Sequence, residues 1–354
     1  MLTADETKKK YRVSDEKLLD YIQNKSTFKK ILYLNLGVKT VRLICYDERF
    51  IPHIKKQLTY VLRENSDNFD TTIVMWHEND VENLYKNQDL IVYDENAEEK
   101  GLVRFDCLVN TIYSYASNIN TYFWGVNNFE TEEFIKTGHI FVQIFSKILK
   151  TKTTNLVHGA CIGLNNTGIL LCARGQRGKS TLSVLSMLEG FEYVSDDYLT
   201  LEKIGDELFA YPIYSIITLS PRMYNELYDK LDGTRFISNS TRKDKYTLNI
   251  ANFHNKFRTK YPVKLCMSLE FTQDNEPSVK ECTQQEKGNA ITQMVHSTIT
   301  QMGDMFDSET IKKIIEMISN FKYYKIYLCK NIYKNVQCLK KFMEGYENDQ
   351  LQIK

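Results

Sequence analysis

Residues 155–203 read NLVHGACIGLNNTGILLCARGQRGKSTLSVLSMLEGFEYVSDDYLTLEK, and this stretch decides the fold. Two apolar runs flank Asn165-Asn166-Thr167-Gly168, and Asn and Gly suit the backbone of a tight turn, so the spacing predicts a hairpin. The second run, TGILLCA, feeds straight into ARGQRGKST (Ala173–Thr181), in which Gly178-Lys179-Ser180 forms the G-K-[ST] ending of a Walker A loop. A helix carrying Leu182, Leu185 and Leu188 on one face follows, with a docking stripe for the sheet. In that strand–loop–helix context the backbone of Gly175, Gln176, Arg177, Gly178, Lys179, Ser180 and Thr181 is expected to cradle a phosphate chain at the positive end of the helix. Lys179 is expected to reach the terminal phosphates and Ser180 to hold Mg²⁺. Ala173 stands where the motif usually has Gly, which its Cβ permits as long as its φ is negative.

Beyond the helix, the run EYVSDDYLTLEK predicts a strand that carries Asp196 and Asp197. Strands disfavour Asp, and adjacent carboxylates repel, so a pair one strand after the loop points to a bound cation or a transferred proton. Phosphoryl transfer uses one carboxylate to orient or deprotonate the accepting hydroxyl and another to bind the metal. The expected division gives the first role to Asp196 and the second, with Ser180, to Asp197, while strand alternation leaves the reverse open. His158 lies in the run that the Asn165-Asn166 turn would pair with the loop strand, a placement that brings it near the phosphates.

His158-Gly159-Ala160 followed by GILLCARGQRGKSTLSVLSMLEGFEYVSDD resembles the core of the HPr kinase/phosphorylase superfamily and its HPr-kinase-like relatives. The shared features are a His before the loop, the G-K-[ST] loop, a short helix ending in Gly plus an aromatic, and a strand ending in Asp-Asp. The resemblance covers about 155–203, with weaker likeness at Tyr211-Pro212 and YPVKLCMSLEF. It implies a catalytic set of His158 beside the transferred phosphate, Lys179 and Ser180 on phosphates and Mg²⁺, and the Asp196/Asp197 pair as base and metal ligand.

Outward from this core, KKILYLNLG and KTVRLICYD predict a hairpin about Gly37, residues 50–63 have helical spacing, and TTIVMWHE and DLIVYDE read as strands. A helix is expected over 131–150. After residue 203, GDELFAYPIYSIITL reads as strands, SPRMYNELYDKL as a helix opened by Ser220-Pro221, and YPVKLCMSLEF as a core strand. Helix, strand and helix then alternate to the end. Arg222 and the run Thr241-Arg242-Lys243-Asp244-Lys245 are candidates for neutralising phosphate charge. The expected fold is α/β: a P-loop kinase core of HPr kinase type at 129–354, preceded by an α/β accessory domain at 1–128 suited to acceptor recognition.

Composition narrows the partners. The chain has 354 residues, 46 Lys plus Arg against 45 Asp plus Glu, and a net charge of +1, so no global field draws it to nucleic acid or an anionic membrane. Eight scattered cysteines form no C-x-x-C pair or zinc spacing and read as reduced, buried thiols. With no apolar segment of membrane-spanning length and no signal-like start, the expected location is cytoplasmic. The resemblance to HPr-kinase-like proteins implies transfer of the γ-phosphoryl of ATP, with Mg²⁺, to a hydroxyl, foremost a serine of a peptide or protein such as a ribosomally made peptide. The alternatives are a small-molecule kinase acting on free serine and a nucleotide-dependent switch without transfer.

Overall fold

The structure is a computed structural model describing residues 11–13, 15–78, 91–93, 104–106, 111–116, 119–126, 138–175, 177–231, 236–239, 246–253, 255–302 and 308–352. The run 241–245 therefore lies outside the described residues. The chain is mixed α/β, and its contacts divide it into two compact units: Met1–Asn35 with Lys39–Ile140, and Leu36–Val38 with Phe141–Lys354. Among the described residues no helix is long and apolar enough to cross a membrane.

The first unit contains β1 (Tyr11–Val13), α1 (Asp15–Lys25), β2 (Lys30–Asn35), β3 (Thr40–Cys45), α2 (Ile51–Gln57), β4 (Leu62–Arg63), β5 (Thr71–His77), β6 (Ile91–Tyr93), β7 (Arg104–Asp106), β8 (Thr111–Ala116) and β9 (Thr121–Val126). Its seven-stranded sheet runs β4-β2-β3-β5-β9-β8-β7, with β3, β5 and β9 parallel. The β2–β3 hairpin forms as its alternation predicts, from Lys30 opposite Cys45 to Asn35 opposite Thr40. The helical spacing over 50–63 yields a shorter helix, because Leu62 and Arg63 leave it to pair with β2. Leu18 and Ile22 of α1 pack with Val74, Trp76 and Phe123 of the sheet.

In the second unit, the helix expected over 131–150 is α3 (Val142–Ile148). Residues 131–137 lie outside the described residues, and Phe141 at φ 64 departs from helical geometry just before α3. The strands β10 (Thr154–His158), β11 (Ala160–Leu164), β12 (Thr167–Cys172), β13 (Glu192–Ser195), β14 (Tyr198–Ile204), β15 (Glu207–Pro212) and β19 (Tyr261–Phe271) share one sheet, ordered β10-β14-β15-β19-β12-β11-β13. β21 (Lys322–Leu328) joins beside β19, and β20 (Ser278–Glu281) beside β21. A smaller sheet holds β16 (Ile216–Leu219), β18 (Tyr246–Asn249) and β17 (Phe236–Asn239). The helices are α4 (Lys179–Leu188), α5 (Pro221–Leu227), α6 (Gln284–Met302), α7 (Ser308–Ile318) and α8 (Ile332–Gln352).

Side chains of α6 and α7, including Ala290, Met294, Ile314 and Ile318, bury against Leu170, Cys172, Val263 and Cys266 of the central strands. β12, β19 and β21 are parallel neighbours, and every other pairing within this sheet is antiparallel. The Asn165-Asn166 turn forms with φ 47 and 66, the two positive values a two-residue hairpin needs.

Candidate active site

β12 delivers the chain to the loop at Cys172, and Ala173 follows without a positive φ, so the methyl group at the first motif position is accommodated. Gly178 precedes α4 at φ 88, a conformation that calls for glycine, and a Cβ there would sit 3.1 Å from Leu328 Cδ1. Lys179 begins the helix. Burial of Leu182, Val184, Leu185 and Met187 anchors α4, with Leu188 only half-buried, a wider apolar face than the expected stripe. Its end is a Schellman motif, in which Gly190, at φ 106, donates to Met187 O and Phe191 donates to Ser186 O. The helix thus has fixed ends and a fixed face, which holds its first residues in place.

The run from Asn155 to Leu164 is two strands rather than one. β10 pairs β14, whereas β11 lies between β12 and β13. The run EYVSDDYLTLEK is likewise split, into β13 and β14, with Asp196-Asp197 between them. Gly159 lies opposite this break and donates its N–H to Asp197 O at 2.9 Å. His158 therefore reaches the loop through the acidic pair and β14, not through the Asn165-Asn166 hairpin as the sequence suggests. A glycine between two apolar runs was the signal for this break.

Three predicted residues converge. Lys179 Nζ lies 3.4 Å from His158 Nε2 and 3.6 Å from Asp197 Oδ1, and His158 Nε2 lies 3.6 Å from the same oxygen. Lys179 and His158 are 6% and 8% exposed, while the Asp197 side chain retains 23% exposure, so the cluster has one open side. Asp197 itself is left-handed at φ 66, a conformation Asp tolerates better than most residues.

Asp196 has a different environment. It is 1% exposed, and neither carboxylate oxygen has a hydrogen-bond partner. Burial above all, and then the charge of Asp197, push its pKa up to about 7, against the opposing pull of Lys179 and the nearby Ser180 hydroxyl. Ser180 is near enough to favour the ionised form but makes no bond of full hydrogen-bond geometry. A dry carboxylate with unsatisfied oxygens beside a helix-N-terminal serine has the hard oxygen donors that suit Mg²⁺. Among the described residues no group of three or more His, Cys, Asp or Glu side chains forms a metal cage.

Of the remaining predicted residues, Gly175 and Arg177 are exposed on the loop, Thr181 is half-buried in α4, and Gln176 lies outside the described residues. Arg222 is exposed on α5. Two contributors had no readable signal. Thr298 of α6 accepts the His158 backbone N–H at 3.0 Å, and the Tyr198 ring meets the His158 ring edge-on with centroids 5.5 Å apart. Both depend on long-range packing.

No family model matches the chain, and none of the curated proteins matches it. Among solved structures, the HPr(Ser) kinase/phosphatase from Coxiella burnetii aligns at 13% identity over 56% of this chain and 98% of that chain, with a TM-score of 0.29. At these values the likeness assigns neither fold family nor activity.

Proposed function

We propose that the second unit is a P-loop kinase core of HPr kinase type that transfers the γ-phosphoryl group of ATP to a hydroxyl, with a serine of a peptide or protein as acceptor. The observation that carries this reading is the convergence of Lys179, at the start of α4, with His158 and Asp197 within 3.6 Å, beside the buried Asp196 and Ser180. Backbone N–H groups and the dipole of a ten-residue helix favour an anion at this point, and a lysine in the same place compensates phosphate charge.

The geometry favours the reverse of the expected division between the aspartates. Asp196, dry and unpartnered beside Ser180, is suited to hold Mg²⁺, which when bound supplies charge neutralisation for the phosphates. Asp197, on the open side, is suited to accept the proton of the attacking hydroxyl. The acceptor oxygen bonds to the γ-phosphorus, the bond to the β,γ-bridging oxygen breaks, and ADP leaves. Lys179 offsets charge on the transferred group, and His158 lies in contact with both Lys179 and Asp197 to orient them. The first unit, with its own parallel strands, is proposed as the acceptor-recognition part.

The reading is tested by incubating the protein with γ-labelled ATP, Mg²⁺ and a set of serine peptides, with free serine and no acceptor as controls. Label on a peptide serine is expected. Label on free serine alone would move the acceptor class to small molecules, and nucleotide binding without transfer or hydrolysis would replace the kinase by a switch.

A further inference from the structure

The loop-bearing strand β12 has two parallel neighbours on one side, β19 and then β21, and all three end at the loop. The carboxyl ends of parallel strands are the usual place for a ligand on an α/β sheet. The residues that close β19 and β21, Phe271 and Leu328, are those nearest to a Cβ built on Gly178: Leu328 Cδ1 at 3.1 Å and Phe271 Cζ at 3.5 Å. They differ sharply in burial. Leu328 is 3% exposed, whereas Phe271 is 54% exposed, leaving much of an aromatic ring in water beside the phosphate loop.

The two residues before Phe271, Leu269 and Glu270, line a pocket together with Arg174 and Arg177 of the loop and Gln293 of α6. Both arginines are exposed and make no ion pair among the described residues. Thus an apolar ring and a polar recess with two uncommitted guanidinium groups lie together at one end of the phosphate loop.

Building on the phosphate-loop reading, we propose that Phe271 is the platform on which the base of the bound nucleotide stacks, with the sugar directed to the pocket lined by Arg174, Arg177, Glu270 and Gln293. A phosphate chain held on the loop tethers sugar and base to this end of the sheet, and Phe271 presents an exposed aromatic ring beside Gly178. Every base has a π face, so one aromatic platform favours the larger purines over pyrimidines and separates ATP from GTP only weakly.

Inorganic tripolyphosphate provides the test, because it keeps the phosphates and lacks sugar and base. The full chain is titrated calorimetrically with the Mg²⁺ complexes of ATP, GTP, CTP and tripolyphosphate, as wild type, Phe271→Ala and Phe271→Trp. Wild type is expected to bind ATP and GTP at least about tenfold more tightly than tripolyphosphate, with CTP between. Phe271→Ala should lose about tenfold for ATP and GTP and nothing for tripolyphosphate; Phe271→Trp should restore the difference, with indole emission that changes on adding ATP but not tripolyphosphate. The platform is overturned if Phe271→Ala binds ATP as wild type does, if it loses ATP and tripolyphosphate equally, or if only the peptide acceptor is weakened. Wild-type protein that binds neither compound refutes the phosphate-loop reading and this subsite with it, whereas tripolyphosphate bound as tightly as ATP refutes the subsite alone.

Discussion

Gly159 donates its backbone N–H to the carbonyl of Asp197 at 2.9 Å, across the one point where the paired runs 154–164 and 192–204 interrupt their strands. The pairing continues on both sides, His158 opposite Tyr198 and Cys161 opposite Ser195. The acidic pair is thus held by the sheet at a fixed distance from the loop, and its two members can be altered separately.

Asp197→Asn should fold as wild type, because Asn adopts the left-handed backbone at φ 66 as readily as Asp. It removes the proton acceptor and should cut transfer by ~10²-fold or more. Asp197→Ala should lose the same activity and also ~1 kcal/mol of stability, the cost of a Cβ with no compensating polar group in that conformation. Transfer rates and urea midpoints of both variants provide the check; full activity in Asp197→Asn would remove the base assignment.

Lys179→Met should lower transfer by ~10²-fold or more, since it deletes a preorganised charge at the transferred phosphate. The methylene stem remains to fill the buried site, and Asp197 keeps its open side to water, so near-ultraviolet circular dichroism should be unchanged. Turnover equal to wild type would rule out the phosphate-loop reading.

Asp196 gives a pH signature to the metal-free protein. Its folded pKa is raised to about 7 from 3.8, so the native state holds this proton more tightly than the unfolded chain does. The associated stability is fully present below about pH 3.8 and is lost as pH rises through about 7. Asp196→Asn, which cannot ionise, should therefore melt several degrees above wild type at pH 8.5 in EDTA, with the gap closing toward pH 4. Mg²⁺ with nucleotide should stabilise wild type and leave this variant nearly unchanged. Equal melting temperatures at both pH values would contradict a dry carboxylate.

At the opposite end of the titration range, Glu286 accepts from the Thr283 N–H at 2.9 Å and pairs with Lys325 at 2.7 Å. Lys325 first, then the Thr283 bonds, hold its pKa down to about 2 from 4.5. A depressed carboxylate contributes stability above about pH 4.5, and that contribution is lost as pH falls through about 2. Glu286→Gln should be less stable than wild type at pH 6 and equal to it near pH 2, measured by denaturant unfolding. A penalty that persists at pH 2 would show that packing, not charge, is responsible.

Local chemistry was the legible part of this chain. The Asn165-Asn166 turn, the strand–Gly178–helix junction, the Gly190-Phe191 helix stop and the eleven residues of β19 each carry their own signal in adjacent residues. What stayed hidden depends on partners far away in the chain. Nothing near His158 says that its strand pairs with β14 instead of β12, and nothing in the Asp-Asp dipeptide says which acid is dry. The helix expected over 131–150 had the right apolar content, yet Phe141 takes a left-handed conformation that periodicity does not register.

That the dry and the wet carboxylate are consecutive residues ties their inheritance together. A slip of one position in the pairing of β13 against β11 would bring Asp196 or Tyr198 to the place opposite Gly159 and shift both acids from their proposed positions at once. Sequence drift along this strand is consequently an all-or-nothing matter. A lineage, or an engineer, can retune either acid by exchanging its side chain in place, but an insertion or deletion within β13 shifts both acids together.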